Sequence, residues 1–383
     1  MTHMKKIILS SLSILFSIIA FAQVTPPPSD KKVQIAILFD TSNSMDNLID
    51  QAKARIWSIV NEISELRYEG ALPSMEFSLY EYGNDGLSEA DDYLRQVLDF
   101  TTDLDDLSQK MFGLKTNGGS EYCGAVIQKA LDELDWSTDQ TDLKMVYIAG
   151  NEEFNQGSVE YKKACTNARS KSVYINSIFC GDYDEGIRLN WFDGADCSGG
   201  DYFNIDPNKE LVHIPTPYDV EIQKYNDSLN STYYGFGIEG LRKKEMQYSE
   251  DGNAAVMNTS VATERSISKS KKGVYRNATW DLVDAVEEGK DINEIEEEAL
   301  PEEFKNKTDK EKTALIEEKK VEREKYQAKI GELAVDREKF ITDEKKKRAE
   351  LGEEVDDFGS SVNLSIEKRA KSNGFVKEAN TPE

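Results

Sequence analysis

The stretch that most constrains the fold is "VQIAILFD", Val33 to Asp40. It is an almost unbroken apolar run that ends in a carboxylate. A strand without an alternating polar face has to be buried on both sides, which happens where helices cover both faces of a parallel sheet. The next apolar residues change period. Met45, Leu48, Ile49, Ala52, Ile56, Ile59, Val60 and Ile63 fall on one helical face.

The alternation continues along the chain. Strands are expected at "MEFSLYEYG" and "YLRQVLDF", joined by the turn "NDGLSEADD" as an antiparallel edge hairpin. Helices are expected at Leu104 to Phe112 and Gly124 to Leu134. The strand "LKMVYIAG", a helix within "VEYKKACTNARSKS", the strand "VYINSIFCG" and the short "DYFNI" follow. This order predicts an α/β fold, a doubly wound and mostly parallel six-stranded sheet, over residues 32–207.

From Pro217 the period is helical and no further strand is expected. Residues 208–290 read as a helical region carrying scattered aromatics. Residues 291–355 read as a charged long helix or a coiled coil. Ile316, Tyr326, Ile330, Leu333, Phe340 and Leu351 fall on a heptad frame, which Lys319, Arg323, Arg337, Glu344 and Lys347 interrupt. Residues 356–383 read as a disordered tail.

Residues 1–22 have the order of a secretory signal peptide. Lys5 and Lys6 precede an apolar stretch, Ile7 to Phe21, and Ala20 and Ala22 fit a small-x-small cleavage site. A membrane anchor is the alternative, but the stretch is short and contains four serines. A stiff Pro-rich linker, residues 23–31, follows. The expected location is exported: periplasm, cell surface or secreted. With a formal net charge of -25, the chain is not suited to binding nucleic acid or anionic lipid. After the signal only His213 remains as a histidine, so hydrolytic triads and histidine metal cages are disfavoured. Four cysteines in an exported chain suggest disulfides. Of the three full pairings, Cys123–Cys180 with Cys165–Cys197 is the one expected.

The carboxylate at the strand end is the chemical feature. Open α/β sheets bind ligands outside the carboxyl ends of their strands. After the buried strand, Asp40, Ser42 and Ser44 alternate on a short loop, so that one carboxylate and two hydroxyls can face a common point. Hard oxygen donors of this kind suit Mg²⁺ or Mn²⁺. The structural alternative is that Asp40 and Ser42 only cap the following helix.

The D-x-S-x-S of Asp40, Ser42 and Ser44, set between a buried strand and an amphipathic helix, resembles the metal-ion-dependent adhesion site (MIDAS) of von Willebrand factor A domains. The resemblance covers about Lys32 to Asp206. It implies a second arm, for which "TNGGSEYCG" offers Ser120, with Thr116 as substitute. It also implies an aspartate after the fourth strand, where this chain has Gly150. Asn151 and Glu152 are the nearby oxygens that can stand in. "GGSEYCG", "IAGNE" and "NSIFCGD" resemble an exported bacterial branch of the family, whose helical tails are similar to "WDLVDA", Trp280 to Ala285.

What the resemblance implies is non-catalytic, metal-dependent protein binding, with an acidic side chain of a protein partner completing the coordination. The expected metal set is Asp40, Ser42, Ser44, Ser120 and Glu152, holding one weakly bound Mg²⁺ or Mn²⁺. Two alternatives come from other classes: an envelope scaffold acting through the charged helices, and a metal-assisted hydrolase. The second lacks a positioned histidine base. A phosphoaspartyl mechanism is disfavoured because Ser42 stands where a second carboxylate is needed.

Overall fold

A computed structural model describes residues 29–46, 48–206, 214–352 and 358–377. The expected signal peptide, all but the last residues of the linker, and His213 lie outside the described residues.

The first half of the chain runs through β1 (Lys32–Asp40), α1 (Ile49–Ile63), β2 (Leu66–Tyr68), β3 (Ser74–Tyr82) and β4 (Leu94–Thr101). It continues with α2 (Leu104–Phe112), α3 (Cys123–Glu133), β5 (Leu143–Gly150), α4 (Tyr161–Ser170) and β6 (Val173–Phe179). Two short helices, α5 (Tyr183–Arg188) and α6 (Trp191–Asp196), lead to β7 (Tyr202–Asn204). The six-stranded sheet has the order β4-β3-β1-β5-β6-β7, and only β4 runs antiparallel. This is the expected doubly wound α/β fold.

Eight of the nine β1 residues are buried, as the sequence run requires. Its side chains divide by parity. Val33, Ile35, Ile37 and Phe39 enter one apolar layer with α1, and Ala36 and Leu38 enter the other with α3 and α4. The chain winds outward from β1 in both directions, so the order reverses between β1 and β5. The register aligns Asp40 with Tyr82 of β3 and Phe39 with Ala149 of β5. The loops after all three strands therefore meet at one crevice.

The second half comprises α7 (Asp219–Asn230), α8 (Gly237–Met257), α9 (Thr259–Ser270), α10 (Leu282–Glu287), α11 (Asp309–Glu350), α12 (Phe358–Ser372) and β8 (Phe375–Lys377). Three expectations are corrected here. The segment from Phe358 to Lys377 is not a disordered tail: Phe358, Val362, Ile366, Ala370 and Phe375 join the core that includes α1. The end of the chain also supplies a strand where none was expected. β8 pairs antiparallel with β2, Tyr68 opposite Phe375.

The third correction concerns α11. Thr308 and Glu311 form a capping box that starts this 42-residue helix. Its heptad seam does not face a second strand of a coiled coil. Ile316, Arg323, Ile330 and Arg337 are spaced seven apart and are all buried against the same chain. The two arginines that interrupt the apolar frame carry ion pairs into it. Arg323 meets Asp281 at 2.7 Å, and Arg337 meets Asp219 at 2.8 Å and Glu264 at 2.7 Å. One apolar layer holds residues of β1, β3, β5, α1, α7, α9, α11 and α12 together. The boundary expected near residue 207 thus crosses a shared core.

The cysteines agree with half of the expected pairing. Cys165 and Cys197 form a disulfide with their Cα atoms 5.8 Å apart. Cys123 and Cys180 are free and buried. They cannot pair because Cys180 belongs to the layer on one face of the sheet and Cys123 to the layer on the other.

Candidate metal centre

Asp40 ends β1 at the reversal of strand order and is wholly buried. Its Oδ1 accepts the Ser42 backbone N–H at 2.8 Å. Its Oδ2 is buried and has no hydrogen-bond partner among the described residues. Gly83, just past β3, makes room for the carboxylate. A Cβ there would lie 2.7 Å from Asp40 Oδ1, and its φ of +76° suits glycine in any case. Burial pushes the Asp40 carboxyl up to about 8. The Ser42 N–H opposes that rise, and the charge of Glu121 adds to it.

The loop after β1 presents the two hydroxyls together. Ser42 Oγ and Ser44 Oγ are 2.8 Å apart, and Ser44 donates to Asn151 Oδ1 at 2.9 Å. Asn151 follows β5, so this contact joins the first and third loops across the crevice. A short 3₁₀ turn, Asn43–Met45, begins directly after Ser42, whose side chain makes no capping bond to it. Ser42 therefore does not act as the simple helix cap that the alternative reading requires.

The second loop arrives differently from the expectation. Ser120 is half-buried and makes no side-chain hydrogen bond among the described residues. Thr116 is tied to Asp46 instead. The residue turned inward is Glu121, only 4% exposed. It lies within hydrogen-bonding reach of Ser42 and accepts from Gln156 Nε2 at 3.4 Å. Burial raises its carboxyl, and the charge of Glu152 raises it further. The sequence signal for Glu121 is its place directly after the Gly-Gly-Ser loop, one residue beyond Ser120.

At the third loop, Gly150 is fixed by packing. An added Cβ would lie 2.5 Å from Tyr82 Oη, 2.9 Å from the Trp191 ring and 3.1 Å from Asp40 Cβ. Tyr82 donates to the Ala149 carbonyl at 2.9 Å, and Trp191 Nε1 donates to the Glu152 carbonyl at 2.7 Å. Two large side chains thus fill the space where the resemblance implies an aspartate. Glu152 itself is exposed, and its charge acts on Asp40 and Glu121 through space.

The donor set is one wholly buried carboxylate with an unsatisfied oxygen, two adjacent hydroxyls, a second buried carboxylate and an amide oxygen. Among the described residues no group of three or more His, Cys, Asp or Glu side chains forms a metal cage. The set fits a hard divalent cation that keeps part of its water, and does not fit a thiolate or imidazole metal.

No family model matches the chain, and no curated protein matches it. Among solved structures, the chain is similar to proximal thread matrix protein 1 of the mussel byssus, in a form with a zinc-occupied MIDAS motif. The identity is 14%, covering 47% of this chain and 43% of that one, at a TM-score of 0.35. It is similar to BatB of Bacteroides thetaiotaomicron at 14% identity, covering 45% and 90%, with a TM-score of 0.35. It is also similar to the VWA domain of SpRpn10 at 16% identity, covering 47% and 90%, with a TM-score of 0.35. The chain spans less than half the length of the mussel protein. The fold assignment rests on the strand order above, and the chemical reading on the residues of the crevice.

Proposed function

We propose that this chain is an exported, non-catalytic protein-binding protein with a von Willebrand factor A-like domain, and that its crevice holds one Mg²⁺ or Mn²⁺. The observation that carries the reading is Asp40 Oδ2, an oxygen buried at a strand end without a partner. A buried carboxylate left in that state is costly unless a cation or proton joins it. Asp40, Ser42 and Ser44 would hold the ion, with Asn151 orienting Ser44. A bound cation supplies positive charge and an open coordination position for an oxygen of the partner protein, expected to be an acidic side chain.

Several features support a binding role over catalysis. No described histidine lies near the crevice to act as a base. The crevice side chains are held by packing and by bonds to neighbouring loops, which suits a pre-formed contact surface. The scaffold alternative has less support, because the heptad seam of α11 is occupied by its own chain. No helix of the described residues is long and apolar enough to cross a membrane.

The experiment is calorimetry with Mg²⁺ and Mn²⁺ on the wild type and on Asp40→Ala. The wild type is expected to bind one ion, and Asp40→Ala none, with the fold unchanged by circular dichroism. If the wild type takes up neither ion at millimolar concentration, the reading fails.

A further inference from the structure

Resting on that reading, we infer that Glu121, and not Glu152 or a residue at position 150, is the second charged ligand of the cation. The crevice needs a second negative charge beside Asp40, because two ligand charges match a divalent ion. Gly150 cannot supply it, since the Tyr82 hydroxyl and the Trp191 ring occupy the space that a side chain there would enter. Glu152 is exposed, and its backbone rather than its carboxylate is fixed by Trp191.

Glu121 meets the requirements from the second loop. It is buried and packs beside Gly83 and Ser42. A Cβ on Gly83 would touch both carboxylate side chains, 2.7 Å from Asp40 Oδ1 and 2.9 Å from Glu121 Cγ. The two side chains therefore flank the same small space, which Gly83 leaves open for want of a methyl group. The unpartnered Asp40 Oδ2 is the independent sign that the carboxylate beside Glu121 has a position left for a ligand. Two buried carboxylates side by side repel each other when both are ionised and no cation lies between them. Among the described residues neither carboxylate forms an ion pair with a lysine or arginine. The same loop that a hydroxyl was expected to serve thus carries the charge that the third loop lacks.

The inference makes two opposite demands on one substitution. Glu121→Gln keeps the size of the side chain and removes the charge. In chelator, at pH 8, it is expected to raise the thermal midpoint above that of the wild type, because the repulsion is relieved. By calorimetry its affinity for Mn²⁺ and Mg²⁺ is expected to fall about tenfold or more, the range seen when a charged group at a metal site is lost. Glu121→Asp keeps the charge and is expected to bind more tightly than Glu121→Gln. Glu152→Gln is expected to stay within about twofold of the wild type, as for an exposed charge. If the wild type and Glu121→Gln bind the ion equally, the inference fails and the reading of the crevice stands. If the wild type binds no ion, both fail. If Glu121→Gln loses stability or its fold in chelator, the pair was not in repulsion and the inference fails.

Discussion

Arg323 Nη1 lies 2.7 Å from Asp281 Oδ2 and 2.5 Å from Asp284 Oδ1, and the guanidinium sits 3.9 Å from the centre of the Tyr233 ring. A residue in the middle of the charged helix α11 is thereby the buried counter-ion of the two aspartates at the N-terminus of α10. Burial alone would lower the arginine, and the two aspartates outweigh it and hold it fully charged. Replacing Arg323 by alanine leaves two buried carboxylates without compensation. The expected loss is about 3–5 kcal/mol, read from the urea midpoint. Arg323→Lys is expected to recover only part of it, since one ammonium cannot reproduce the fork that also reaches the Thr232 carbonyl. A loss below about 1 kcal/mol for the alanine variant would mean that α11 is not locked to the body through this pair.

The same contacts show where the sequence was legible and where it was not. "VQIAILFD" fixed a strand buried on both faces, and the helix and strand periods up to Asn204 placed the sheet, because burial there is local and apolar. The heptad of α11 was visible at Ile316 and Ile330, but Arg323 and Arg337 on the same seam read as interruptions. Periodicity counts apolar residues, and a buried arginine is recognised only through its partners, Asp281, Asp219 and Glu264, which lie 42 to 118 residues away in sequence. The segment from Phe358 to Phe375 read as a tail for a related reason. Its few apolar residues are sufficient only because α1 and β2 wait for them. At the crevice, the spacing was enough to place Asp40, Ser42 and Ser44 together on the loop after β1, whereas the burial of Glu121 and the exposure of Glu152 are visible only in the folded backbone.

A chain ended after Asp206 is expected to lose its cooperative unfolding transition. The cut removes α9, whose Ser268 donates to Asn61 Oδ1 at 2.6 Å and whose Arg265 stacks 5.6 Å from the Trp57 ring. It also removes α12 and the strand that pairs with β2. The exposed face of α1 would carry Trp57 and much of an apolar layer that is now buried. Thermal unfolding followed by circular dichroism checks this. A sharp transition in the fragment would show that the sheet domain is independent of the helices.

Non-reducing peptide mapping is expected to find one disulfide, Cys165–Cys197, and two thiols that react only after denaturation. The bridge joins α4 to the residue after α6, across 32 positions of sequence. Replacing both cysteines by serine is expected to destabilise the chain by about 2–4 kcal/mol. Recovery of a Cys123–Cys180 peptide would contradict the placement of these residues on opposite faces of the sheet.

Acid is expected to unlock the helical half through Asp251. Burial would raise this carboxyl, but Lys269 at 2.6 Å and Arg265 at 2.8 Å outweigh it and hold it well below the usual carboxylate range. A carboxyl whose folded value is depressed binds fewer protons in the native state than in the unfolded state. Its stabilisation is complete above the unfolded value of about 4 and is lost as pH falls below that. Asp251→Asn should therefore be clearly less stable than the wild type at pH 6. The gap should narrow steadily from pH 4 downward. Denaturant midpoints across that range decide it, and a gap that is constant with pH would show that the pair contributes no linkage.

Gly150→Asp is the substitution that the family resemblance invites, since it restores the carboxylate of the third loop. The packing predicts the opposite of a repair. The new Cβ would meet the Tyr82 hydroxyl at 2.5 Å and the Trp191 ring at 2.9 Å, held by hydrogen bonds to the carbonyls of Ala149 and Glu152. Neither group is the loose end of a flexible chain, so β5 would have to shift and carry Asn151 away from Ser44. A third carboxylate would also enter beside Asp40 and Glu121, where charge is already in excess. The variant is expected to lose about 2 kcal/mol or more in the absence of metal. It is also expected to gain no affinity for Mg²⁺ or Mn²⁺. Thermal unfolding in chelator and calorimetry with both ions measure the two effects separately. A variant that is as stable as the wild type and binds the ion more tightly would show that Tyr82 and Trp191 yield, and that the crevice is a depleted version of a three-loop site.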